Sequence, residues 1–98
     1  MKPMISVHNL EGRISATIAD KELTNKKLKE DKLKINLASK FYNWKERNTE
    51  EIKNIIRDSK LILFIGKEST NFALKERMIN QEDIKRIQNI PFCHLMKL

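Results

Sequence analysis

The sequence predicts an α+β fold with an α/β-like second half: a mixed β-sheet with an N-terminal hairpin and two helices packed on it. Three observations predict it. Two alternating, β-branched segments flank a short loop near the N-terminus. The pentapeptide Leu61-Ile62-Leu63-Phe64-Ile65 is apolar at every position, as a strand covered on both faces should be. A helical pattern stands on either side of it, giving an α-β-α order.

The elements follow in order. Met4 to His8 and Arg13 to Ile18 alternate and enclose Asn9-Leu10-Glu11-Gly12, so they predict an antiparallel hairpin. Asp20 to Lys29 is polar apart from Leu23 and Leu28 and reads chiefly as solvated surface. Leu33, Ile35 and Leu37 alternate with polar residues and predict a third, half-buried strand. Asn48 and Glu51 stand at capping-box spacing before a helix whose Ile52, Ile55 and Ile56 share one face. Leu61 to Ile65 follows as the central strand, and Gly66 breaks it. Ser69 to Met78 predicts a second helix, with Phe72, Ala73 and Leu74 turned inward to differing degrees. A turn from Asn80 leads into a strand through Ile84 and Ile87. Pro91 is expected to stop that strand, and Phe92 to Leu98 to form a terminal one.

A chain of 98 residues has room for one domain, here 1–98, and for one modest core. Hydrophobic residues make up 40% and charged residues 34%, a folded chain with a heavily charged surface rather than a disordered one. Lys+Arg number 20 against 13 Asp+Glu, a net charge of +7 that points to a polyanionic partner. Cys93 is the only cysteine, which excludes an internal disulfide and suits a reducing, cytoplasmic setting. The N-terminal residues lack the apolar core of a signal peptide, and no apolar run has the length of a membrane span.

The excess charge is clustered. Between Lys21 and Arg47 lie nine cations and four anions, or +5 of the total +7. Lysines hold phosphate as flexible point charges, which suits backbone binding without sequence readout. The alternative is an ordinary solvated face. Tyr42 and Trp44 stand among Lys40, Lys45 and Arg47, where rings can stack on unpaired bases while cations hold phosphate. Packing against the sheet is the competing role for both, and Phe41 reads as a core anchor. The RNA-binding candidates are therefore Lys26, Lys27, Lys29, Lys32, Lys34, Lys40, Tyr42, Trp44, Lys45 and Arg47.

Gly66-Lys67-Glu68-Ser69-Thr70 follows a buried strand and opens a helix, a position that suits phosphate. The P-loop pattern nevertheless fails: its first glycine would fall at Leu61, and Glu68 stands where Ser or Thr should follow the lysine. Gly66 is expected to allow a tight turn and Ser69 to satisfy the helix start. His8, Cys93 and His94 have no metal-ligand spacing. His8 and Cys93 fall on strands that could be neighbours, but ordinary core and edge roles are the better reading. No catalytic residues, cofactor or small-molecule substrate are expected.

Phe41-Tyr42, the helix with Ile52 and Ile55, Leu63-Phe64-Ile65-Gly66-Lys67-Glu68-Ser69, Met78-Ile79, Ile87 and Ile90-Pro91 occur in an order and spacing that resembles the archaeal Domain of Unknown Function 424 family. Ala19-Asp20-Lys21-Glu22-Leu23 is similar to that family's region after its hairpin. The family's genes often lie among translation genes, so the resemblance implies a ribosome or initiation-factor setting. Two departures stand out. Asn43-Trp44 follows Phe41-Tyr42 where the family usually has glycine, and Phe92-Cys93-His94 follows the late proline where it usually has His-Ala-Gln.

The expected function is an RNA-binding accessory protein of the translation machinery, with ribosomal RNA and ribosomal proteins as partners. The first rival is a protein-interaction adaptor docking through a sheet edge. The second is a small nucleotide-binding module or enzyme built on the Gly66–Ser69 turn.

Overall fold

The structure, a computed structural model, describes residues 3–97. Met1, Lys2 and Leu98, the last included in the predicted terminal strand, lie outside the described residues. Strands β1 (Met4–Leu10) and β2 (Arg13–Ala19) form the expected hairpin, paired from Met4↔Ala19 to Leu10↔Arg13. The turn is only Glu11-Gly12, both at positive φ, the geometry that two-residue hairpins require. Ordinary side chains resist that conformation, so Gly12 supplies what the turn needs.

Strands β3 (Lys27–Glu30) and β4 (Leu33–Asn36) make a second, separate two-stranded ribbon. The third predicted strand thus exists as β4, but it stands outside the main sheet, and the segment expected to be solvated surface supplies its partner. Alternation explains both findings: Leu28 and Ile35 point inward and are buried, while Lys27, Lys29 and Lys34 point outward. Strand β5 (Lys45–Glu46) then pairs with the start of β1.

Helix α1 (Thr49–Asp58) carries a complete capping box. Asn48 Oδ1 accepts from the Glu51 amide at 2.9 Å, and Glu51 Oε1 accepts from the Asn48 amide at 3.3 Å. Ile52 and Ile56, four residues apart, are buried, whereas Ile55 at the margin of the same face is only half-buried. Strand β6 (Leu61–Ile65) follows, then helix α2 (Lys67–Lys75). Helix α2 starts and stops earlier than expected, because its start is fixed from outside its own sequence.

Strands β7 (Lys85–Ile87) and β8 (Ile90–Met96) form a closing hairpin around Gln88-Asn89, both at positive φ. Pro91 therefore lies within β8 and ends neither strand. Its carbonyl accepts from the Gly66 amide at 2.8 Å. Across from it, the Gly66 carbonyl is already engaged by the Thr70 amide and hydroxyl, so no donor is required of residue 91.

The main sheet runs β5-β1-β2-β6-β8-β7, and only the β2–β6 pair is parallel. Strand β6 is central, as expected, and divides its side chains between two cores. Ile62 and Phe64 join Ile5, Ala16, Ile18, Ile52, Ile56 and Ala73 under the helices. Ile65 joins Ala19, Leu28, Ile35, Leu37 and Phe92 under the ribbon.

Candidate nucleic-acid interface

The predicted basic stretch divides between the β3–β4 ribbon and strand β5. Lys27, Lys29 and Lys34 project from the outer face of the ribbon, with Lys26 at its entry and Lys32 in its turn, all exposed. Lys40 is exposed in the turn leading away from β4. Lys45 and Arg47 lie at strand β5, whereas the ribbon packs toward β7. Strands β5 and β7 are opposite edges of the sheet, five inter-strand steps or about 24 Å apart. Arg47, moreover, faces Glu51 on the next turn of chain at 3.8 Å.

The ribbon holds the densest charge. Lys29 and Lys34 are directly opposed across its two strands. The Lys29 amide donates to Gln88 Oε1 at 3.2 Å, so it points away from β4. Lys29 and Lys34 therefore form the non-hydrogen-bonded kind of pair, with Cα atoms about 4.5 Å apart and side chains close together. Among the described residues neither lysine has an acidic side chain within ion-pair distance. Glu30, the nearest carboxylate along β3, accepts instead from the Gln88 amide at 2.7 Å. These two Gln88 bonds fasten the ribbon to the β7–β8 turn.

The aromatic residues form a ladder of four rings. Trp44 donates through Nε1 to the Leu37 carbonyl at 3.1 Å and stacks on Tyr42 at 4.8 Å. Tyr42 meets the edge of Phe41 at 5.2 Å, and Phe41 stacks on His8 at 3.8 Å. Tyr42 and Trp44 are half-buried against the ribbon-side core and spend their faces on each other. Phe41 is the reverse of the expected core anchor: it is 52% exposed. The Leu37–Lys40 turn brings the chain out over β1, and His8 rather than the core receives its ring. Burial lowers the His8 pKa, and its ring lies within 18° of the plane of Phe41.

The Gly66 turn is built around Asp20, a residue no local motif indicates. The Asp20 amide donates to the Ile65 carbonyl, which extends β2's pairing past its end and sets the buried carboxylate at the start of α2. There Asp20 accepts from the Glu68 amide at 3.0 Å, the Ser69 amide at 2.8 Å and the Ser69 hydroxyl at 2.8 Å. Ser69 thus donates to a distant cap instead of capping the helix itself. A Cβ on Gly66 would stand 2.3 Å from the Asp20 Cγ, and Gly66 has φ +112°. The glycine is required both by conformation and by close approach. The amides that would cradle a phosphate are taken by this carboxylate. A cleft of about 520 Å³ opens beside the turn, and its charged groups are of mixed sign: Asp20 and Glu22 with Lys67 and Arg86.

His8 and Cys93 are separated rather than adjacent. Strands β2 and β6 lie between theirs, and the two side chains are on opposite faces of the sheet. Burial raises the Cys93 pKa, so the thiol stays protonated. His94 is lowered by burial and then by Lys85. Among the described residues no three His, Cys, Asp or Glu side chains gather as metal ligands, and no helix is long and apolar enough to cross a membrane.

A family model for a protein of unknown function, DUF424, matches residues 8–98. The chain belongs to the DUF424 family. The match begins within β1 and covers every element after it, so the resemblance to that family is shown. A crystal structure of an uncharacterized conserved protein from Methanopyrus kandleri has the same fold as this DUF424 chain. Its TM-score is 0.77 over 100% of this chain and 95% of that one, at 12% identity. Comparison with curated proteins finds no match.

Proposed function

We propose that this DUF424 chain is a cytoplasmic RNA-binding accessory protein, and that the β3–β4 ribbon is its phosphate-binding element. The observation that carries the reading is the Lys29–Lys34 pair. Like charges directly opposed on two strands cost stability, and among the described residues no acidic side chain forms an ion pair with either. A phosphate placed between them converts the repulsion into two charge-assisted contacts. Lys27, Lys26 and Lys32 extend the same charge along the ribbon. Lysine rather than arginine favours contact to backbone phosphate over readout of bases. The translation setting, with ribosomal RNA and ribosomal proteins as partners, rests on the family resemblance.

The nucleotide-binding rival loses its main support, because the Asp20 carboxylate occupies the start of α2. The adaptor rival keeps one observation of its own. Strand β5 pairs only with Met4 and Ile5, which leaves the Val7–Leu10 edge of β1 without a strand, and Val7 and Leu10 are 43% and 53% exposed.

Titration with structured ribosomal RNA at several salt concentrations tests the proposal. Replacing Lys27, Lys29 and Lys34 together with glutamine should lower the slope of log affinity against log salt by about 0.7–0.9 for each lysine that touches a phosphate, or about 2–3 in all. Exposed lysines contribute little to stability, so the fold should persist. Unchanged slope and affinity in the folded variant would remove the ribbon from the interface and favour the adaptor.

A further inference from the structure

The ribbon covers only part of its side of the sheet. It lies over the end formed by Ala19, Ile65 and Phe92. Beyond that end the register continues through the row His8–Ser15–Leu61–Met96 and then to Leu10–Arg13. There Leu61 is 37% exposed, Leu10 53% and Met96 71%. These residues border a groove of about 760 Å³, with Arg13 and Lys60 beside them and Glu11 as the one acidic side chain among the described residues lining it. Phe41 stands at the head of this row, on His8.

We propose that this uncovered part of the sheet holds an unpaired RNA strand, with Phe41 stacking on one of its bases. The inference rests on the RNA-binding reading and extends it to the conformation of the RNA. Three observations support it. The first is the ring itself. One face of Phe41 lies on His8, its edge meets Tyr42, and no described ring meets its other face. Its backbone is held by a turn in which the Phe41 amide donates to Ser39 Oγ and the Tyr42 amide to the Ser39 carbonyl, both at 3.1 Å. A large ring that is both exposed and fixed loses little freedom on stacking, and every base offers it a π-face.

The second observation is charge. Arg13, Lys60 and Lys97 line an apolar floor, and Glu11 is the one acidic side chain among the described residues that lines it. That suits bases on the floor and phosphates at the rim. It opposes a second copy of this chain, which would set +7 against +7. The third is continuity. Phe41 lies five residue steps beyond Asn36, at the end of β4, a reach of at most about 18 Å. One strand can therefore touch the ribbon lysines and the ring together. A duplex cannot use the ring in this way, because its bases are already stacked on one another.

The experiment titrates the full chain with an oligouridylate and, separately, with a duplex RNA of the same length. It compares the native sequence, Phe41→Ala, Phe41→Trp and the Lys27/Lys29/Lys34→Gln variant. Phe41→Ala should lose about 5- to 150-fold in affinity for the single strand, the range for one base–aromatic stack, at unchanged salt slope. It should leave duplex affinity alone, and Phe41→Trp should retain single-strand affinity. The lysine variant should lower the slope on both RNAs. If the lysine variant lowers the slope while Phe41→Ala binds the single strand as the native chain does, the stacking proposal is overturned and the ribbon reading stands. An equal loss on both RNAs for Phe41→Ala overturns it too. Failure of the native chain to bind either RNA overturns both, and binding of an acidic protein segment on Leu10, Leu61 and Met96 would then identify the groove as a protein site.

Discussion

The two faces of the main sheet are finished differently. On one, helices α1 and α2 close a continuous apolar core, and each helix start is capped by a side chain, Asn48 for α1 and Asp20 for α2. At the far end of α1, the Lys97 ammonium donates to the Ile56 and Arg57 carbonyls. On the other face, a short ribbon covers one end of the sheet, turns opposed lysines outward and leaves Leu61 and Met96 in solvent. The first face caps its helix starts and buries its apolar side chains, with Glu68 Oε2 the one buried side-chain oxygen left without a partner among the described residues, so most of its energy is spent within the molecule. The second keeps unneutralised charge and apolar surface together, which is what an interface for another molecule needs.

The two faces should differ most in how their cores respond to truncation. Phe64→Ala, at a fully buried position under the helices, should cost about 3–5 kcal/mol. Leu28→Ala, under the ribbon, should cost about 2–3 kcal/mol, at the low end of its class, because a two-stranded ribbon can settle into the space. Urea unfolding of both variants measures the difference. Equal losses would make the two faces equally rigid.

The next largest effect concerns the start of α2. Gly66→Ala should destabilise by more than about 1 kcal/mol, because the new Cβ meets the Asp20 carboxylate at a backbone angle that alanine resists. Asp20→Ala should cost about 1–3 kcal/mol by leaving buried donors unpaired. The two changes combined should cost less than their sum, since the clash disappears with the carboxylate. Strict additivity in a denaturation cycle would mean that the clash contributes nothing.

The smallest effect has the opposite sign. Lys34→Glu converts the opposed lysines into an opposite-charge pair and should stabilise the fold by about 0.2–1 kcal/mol, while weakening RNA binding. Thermal unfolding at low salt reads the first part and the RNA titration the second. A loss of stability would show that Lys29 and Lys34 do not face each other in solution.

Much of the fold is legible in the sequence because its signals are local. The β1–β2 hairpin is announced by alternation around Gly12, the α1 start by Asn48 and Glu51, and β6 by five apolar residues in succession. What the sequence hides depends on partners far along the chain. Asp20 meets the start of α2 48 and 49 residues later, and nothing near Asp20 marks it as a cap. Pro91 reads as a strand breaker until Thr70 is seen to satisfy the Gly66 carbonyl. Gln88-Asn89 is not a common turn pair, so the β7–β8 hairpin reads as two separate strands. Of the candidate site, the lysines of the ribbon are legible from charge alone. Their separation from Lys45 and Arg47 is not, because a +5 stretch in sequence says nothing about which sheet edge each part reaches. Phe41 reads as inward-facing because large aromatics usually are, and only the position of His8 beneath it explains the exception.

Trp44 is the only tryptophan of the chain, and its indole is tied to the Leu37 carbonyl just past the ribbon. The protein therefore carries an intrinsic optical probe at the edge of its ribbon-side core. If the ribbon lifts from the sheet while the helices stay in place, the indole loses that bond and meets water. Its emission then moves to longer wavelength while the helical far-ultraviolet signal holds. A single untagged sample can thus separate detachment of the ribbon from loss of the whole fold.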